Sequence, residues 1–234
     1  MRDYGKDGLH DIDISTAIKN APDQKDKTYP YPFGFDPTFH RYRLGEPQRM
    51  KKPSNIFVCS MADLFGDWVP DEWIQEVFKD CQAAPQHRYL FLTKNPERYD
   101  VLSYYLPWNV DYGDPVNSSN MWFGFTAENQ IAFDERADKQ DFYVHSSYNS
   151  FVSLEPLQSR IDLDGLSRIY GIGWVIVGAE TGSRKDKIIP AREWVENIVN
   201  ACRESGVPVF LKNSLAKVWG EPLIQDYPEG LKGN

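Results

Sequence analysis

From Lys51 onward, apolar and polar positions fall into a repeating order. Short apolar runs rich in β-branched and aromatic residues occur at 55–59, 88–92, 121–125, 151–154, 174–177 and 207–211. Each is too short for a helix and is bounded by polar residues, as expected of strands buried on both faces. The stretches between them carry apolar residues at helical spacing. Trp73, Ile74, Val77, Phe78 and Cys81 share one face of a helix that Pro70 opens and Asp71 and Glu72 favour at its positive end. Asn95 is expected to cap a helix with Pro96 first and Tyr99, Leu102 and Leu106 inward. A polar helix is expected over residues 131–142 and a short segment near 163–169. A last helix opens at Pro190, buries Trp194, Val195, Ile198, Val199 and Cys202, and closes at Gly206. Six strands alternating with helices make a parallel sheet with right-handed crossovers. The fold class is therefore α/β, a partial or complete (β/α) TIM-like barrel of parallel strands.

The pattern is interrupted at both ends. Residues 1–50 have prolines at 22, 30, 32 and 37, which block helix interiors and central strands, and read as an irregular arm. The arm's aromatics, Tyr29, Tyr31, Phe33, Phe35, Phe39 and Tyr42, are expected to pack it onto the core. Residues 51–215 form the barrel-like domain and 216–234 a loosely wrapped tail.

Charge narrows the partners. The 234 residues carry a formal net charge of −8, so no general basic surface neutralises phosphates, and nucleic acid is left only a local patch. No apolar run approaches the ~18–20 residues that cross a bilayer, and MRDYGKDGLHDIDIS lacks the basic and apolar regions of a signal peptide. A cytoplasmic location without membrane contact is expected. Cys59, Cys81 and Cys202 fit reduced core thiols better than a disulfide framework, and the four histidines show no metal-ligand spacing, so no metal site is expected.

The chemistry is expected where the strands end. After each run stand polar residues: Ser60 and Asp63, Lys94, Thr126 with Glu128 and Asn129, Glu155, Glu180, and Lys212 with Asn213. Barrels and open α/β sheets build their sites at the carboxyl ends of strands. Such a rim, with Gly178 and Gly182 allowing close approach, suits a small molecule bearing an amino-acid zwitterion or a ribose, or a cation. VGAETGS lacks the glycine spacing of phosphate-binding fingerprints. Ser60 and Ser153 are the nearest nucleophile candidates, but neither has an identifiable base.

Several of these segments carry a resemblance. Ser60-Met61-Ala62-Asp63-Leu64-Phe65, Ala84-Pro85-Gln86-His87, Leu92 to Arg98, Glu128-Asn129-Gln130, Ser153 to Leu157, Val177 to Gly182 and Gly206 to Lys212 occur in order between residues 44 and 213. Together they resemble the phage-associated, radical-SAM-like family of unknown function. The resemblance implies a radical-SAM type of partial barrel, S-adenosylmethionine and a [4Fe–4S] cluster held by an N-terminal three-cysteine motif. No cysteine precedes Cys59, so that motif is expected upstream of Met1, or its chemistry has been lost.

On this resemblance, Asp63 and Glu180 would face the amino group or ribose of adenosylmethionine, and Glu128 and Asn129 the ribose hydroxyls. Lys94, Glu155 and Lys212 would face the substrate. Two other functions stand beside it: a cluster-less barrel that binds a ligand or partner, and a cofactor-free hydrolase using Glu155 and Glu180 as its acid and base.

Overall fold

In the computed structural model, which describes residues 8–19, 31–100, 120–139, 149–163 and 171–232, all six apolar runs contain strands. They are β3 (Asn55–Phe57), β4 (Arg88–Thr93), β5 (Met121–Thr126), β6 (Asn149–Leu154), β7 (Val175–Val177) and β8 (Val209–Leu211). All pair in parallel, and their order in the sheet is their order in the chain. The result is a mixed α/β fold whose six-stranded sheet curls into a half-barrel.

The chain divides into two compact units, Met1–Pro53 with Asp67–His87, and Ser54–Gly66 with Arg88–Asn234. The first unit is more regular than its prolines suggest. β1 (His10–Ile12) pairs in parallel with β2 (Thr38–His40), and α1 (Ile14–Lys19) follows β1. Prolines 32 and 37 lie outside these elements, and prolines 22 and 30 outside the described residues. The expected helix is α3 (Asp71–Gln82), which follows the single turn α2 (Glu46–Arg49). Asp80 of α3 accepts from the Gly45 amide and the Gln48 side chain, both at 2.7 Å. Arg41 joins Asp11 to Glu76, and Phe39 stacks on Trp73 at 5.2 Å. Tyr29 lies outside the described residues.

In the second unit, α4 (Gln130–Asp138) and α5 (Arg192–Ser205) cover the outer face of the sheet. Phe125, Val152, Leu154, Val175, Val177, Val209 and Leu211 meet Phe133, Val195, Ile198, Val199 and Cys202 there. The opposite, inner face carries Leu90, Trp122, Phe151 and Trp174, closed from below by Leu231. The Trp122 indole N–H is buried without an acceptor, the only such side-chain donor among the described residues. An unmet buried donor costs about 1–3 kcal/mol.

Two expectations are corrected here. Pro96 opens a 3-10 turn, Pro96–Asp100, and the Asn95 side chain donates to the Phe65 carbonyl at 3.1 Å. Leu102 and Leu106 lie outside the described residues, as do 140–142 of the polar helix and most of the segment near 163–169. The tail is not loose. After α6 (Ala216–Trp219), Gln225 bridges to Phe210, Leu211 donates to the Ile224 carbonyl and Asp226 to the Val209 carbonyl. Trp174 Nε1 donates to the Asp226 carbonyl at 2.9 Å, and Leu231 is buried. Indole and leucine supply the burial that offsets the tail's prolines and glycines. Among the described residues no helix is long and apolar enough to cross a membrane.

Candidate functional site

Register decides which side chains share the inner face. Residues paired across a parallel sheet point the same way, and every second residue along a strand does so too. The pairs Thr126↔Ser153, Ser153↔Ile176 and Ile176↔Phe210 therefore form one row across four strands. The row below contains Leu92, Gly124 and Phe151, paired in turn. One step above lie Glu155, Gly178 and Lys212, just past the ends of β6, β7 and β8. Thr126 and Ser153 are buried, whereas Leu92, Ile176 and Phe210 remain half-buried, so the upper inner face is an apolar floor with hydroxyls and charges above it.

The centre of the rim is an ion pair. Lys212 Nζ lies 2.5 Å from Glu155 Oε2, with the two side chains 44% and 27% exposed. Backbone bonds fix both strand ends: the Gly178 amide donates to Leu154, the Lys212 amide to Val177, and the Leu157 amide to the Gly178 carbonyl. A Cβ on Gly178 would stand 2.6 Å from Glu155 Oε1, so Glu155 reaches this position only because residue 178 has no side chain. Thr126 Oγ1 donates to the Glu155 carbonyl at 3.1 Å. The Ser153 hydroxyl lies beneath and makes no hydrogen bond among the described residues.

The other candidates have protein partners. Asp63 Oδ1 accepts from Thr93 Oγ1 at 2.7 Å and the Phe65 amide at 3.0 Å, while Oδ2 accepts from the Lys94 amide at 2.9 Å. Asn129 caps α4, accepting from the Ala132 amide at 2.9 Å. Glu180 pairs with Arg184 at 2.8 Å, so it and Glu155 each hold a different cation. The Lys94 side chain is exposed, and Ser60 lies on the exposed turn after β3.

Glu128 pairs with Arg136 at 2.9 Å, and Arg136 also donates to the Thr126 carbonyl at 2.7 Å. Burial would raise the Glu128 pKa, but the hydrogen bond and charge of Arg136, with Lys94 adding to them, bring it below the usual carboxylate value. A folded-state pKa below the unfolded one stabilises above the unfolded value, and that contribution is lost as pH falls through the folded one. Arg136 and Ser214, whose hydroxyl accepts from the Ala179 amide at 3.0 Å, were not among the sequence candidates. Neither ends a strand, and each acts through a backbone group that no motif records.

The model of a family described as a protein of unknown function, DUF5131, matches residues 15–225. The chain belongs to that family. Comparison with curated proteins and with solved structures returns no match.

This DUF5131 chain's cysteines do not fit a [4Fe–4S] cluster, which needs several thiolates held close together. Cys81 and Cys202 are buried on α3 and α5, and burial pushes the Cys202 thiol up to about 12. Cys59 is exposed after β3 at φ 53°. Among the described residues no three His, Cys, Asp or Glu side chains group to hold a metal. Reaction with Ellman's reagent is expected to modify one thiol rapidly in the native protein and the other two only on unfolding. A second fast thiol would contradict the burial of Cys81 and Cys202.

Proposed function

We propose that this chain is a small-molecule-binding half-barrel of the radical-SAM-like type, with its ligand site on the inner face at the strand carboxyl ends. The observation that carries the reading is the Glu155–Lys212 pair leaning on Gly178 above the Thr126–Ser153 row. A part-exposed ion pair contributes at most about 1 kcal/mol to stability, so its charges serve the fold little. Side by side they match the ammonium and carboxylate of an amino-acid moiety, Glu155 taking the first and Lys212 the second. Leu92, Ile176 and Phe210 supply an apolar floor for a planar group, and the Ser153 hydroxyl is available to a ligand hydroxyl or ring nitrogen.

S-adenosylmethionine combines these parts and, when bound, supplies an activated sulfonium centre. The resemblance to phage-associated radical-SAM-like proteins supports that choice. No step is assigned to an iron–sulfur cluster, because the chain's own cysteines do not fit one.

Isothermal titration calorimetry tests the reading. S-adenosylmethionine should bind the wild type, with adenosine and methionine each binding more weakly. Glu155→Gln and Lys212→Ala should each weaken binding at least about tenfold, or about 1.4 kcal/mol, with little change in melting temperature. Gly178→Ala should do the same by displacing Glu155. Absence of binding by S-adenosylmethionine, or equal affinity in all variants, would end the proposal.

A further inference from the structure

The opposite end of the sheet holds a concavity of about 480 Å³, where β8 begins. Its lining includes Pro208, Arg203 from the last turn of α5, and Gln225, Asp226, Tyr227 and Lys232 from the C-terminal segment. Lys232 is neutralised by Glu229 at 2.8 Å. Arg203 and Asp226 are exposed and make no hydrogen bond or ion pair among the described residues, although the Asp226 charge also acts on Lys232. The concavity therefore presents a guanidinium without an ion pair together with a carboxylate that Lys232 meets only through space.

The backbone beneath Asp226 is fixed. The Asp226 amide donates to Val209 at 3.0 Å and its carbonyl accepts from Trp174 Nε1 at 2.9 Å, so the backbone beneath the carboxylate is held on both sides. The Tyr227 ring is backed by Trp174 at 5.5 Å and Phe210 at 5.1 Å and keeps 40% of its surface exposed. A guanidinium grips a carboxylate with parallel N–H donors, a carboxylate takes an ammonium, and a fixed ring offers an apolar wall. A ligand of one charge would satisfy only half of this arrangement.

We infer that this concavity is a second binding site, distinct from the rim, for a zwitterionic amino acid with an aromatic or apolar side chain. The ligand carboxylate lies on Arg203, its ammonium on Asp226 and its side chain against Tyr227.

L-phenylalanine is the probe, titrated calorimetrically into the full chain beside 3-phenylpropionate, which lacks the ammonium, and phenethylamine, which lacks the carboxylate. With the rim disabled by Lys212→Ala, L-phenylalanine should bind with one-to-one stoichiometry and each analogue at least about tenfold more weakly. Arg203→Ala and Asp226→Asn should each weaken L-phenylalanine binding by a similar factor, and Lys212→Ala should leave it unchanged. Analogues that bind as well as L-phenylalanine, Arg203 and Asp226 variants that bind normally, or no binding at all would overturn the inference. Loss of binding in Lys212→Ala would overturn it too, by moving the ligand to the rim.

Discussion

Replacing Gly124 with alanine is expected to destabilise the protein by about 3 kcal/mol, at the upper end of overpacking costs. Gly124 lies in the middle of β5, between Leu92 on one side and Phe151 on the other. A Cβ there would stand 2.7 Å from two carbons of the Phe151 ring and 2.7 Å from the Phe151 carbonyl oxygen. The ring could turn aside, but the carbonyl belongs to the neighbouring strand and yields only if the strands separate. The Gly124 carbonyl is fixed as well, accepting from the buried Tyr99 hydroxyl at 2.8 Å. Glycine in a strand ordinarily costs about 0.5–1 kcal/mol relative to alanine, so without the close approach the substitution would stabilise. Urea unfolding separates these outcomes by sign. Adding Phe151→Leu should recover only the part of the loss that comes from the ring.

Asp63→Ala is expected to cost a similar amount, about 3 kcal/mol, from three hydrogen bonds to one carboxylate, discounted for its partial exposure. Thr93 is buried, and its hydroxyl, besides donating to Asp63, accepts from the Asn95 amide at 2.9 Å. Removing the carboxylate therefore leaves a buried hydroxyl and two amides to find new partners. For a chain of this size the loss corresponds to a melting temperature lower by roughly 6–12 °C. Asp63→Asn should retain about half of the stability, since one oxygen acceptor survives. A change below about 0.5 kcal/mol in Asp63→Ala, typical of surface substitutions, would mean that water replaces the carboxylate without penalty.

Asp63 also marks the limit of what the sequence reveals about the site. Its position after a strand identifies it as a rim residue, but nothing local says that both oxygens are turned toward Thr93, Phe65 and Lys94. Lys94, Glu155 and Lys212 were legible for the same positional reason. Their arrangement was not, because the Thr126–Ser153–Ile176–Phe210 row depends on register, and register is set between strands rather than within them. Ser153 could be read as a hydroxyl in a strand, yet its place under Glu155 follows only from the pairing.

The fold was more legible because strands buried on both faces must be apolar throughout. Its boundaries shifted where backbone geometry intervened. β3 stops at Phe57, two residues before Cys59 adopts a positive φ, and β8 starts after Pro208, which has no N–H to donate. β1 was invisible because HDI becomes a strand only beside TFH, far along the chain. The anchored tail was hidden for a similar reason, since the indole that holds it belongs to a residue fifty-two positions earlier.

That anchoring bears on how the protein is made. Strands laid down in chain order can pair one after another as a ribosome extends the polypeptide. The inner layer of tryptophans cannot follow the same schedule. Asn55 Nδ2 donates to the Leu231 carbonyl across 176 residues, and Leu231 is the residue that closes Leu90, Trp122, Phe151 and Trp174 from below. Until residues 226–231 have left the exit tunnel, the nascent sheet presents a greasy underside to solvent or to chaperones. The sheet's last strand pairs early enough, but its first strand waits for a partner 176 residues further along the chain.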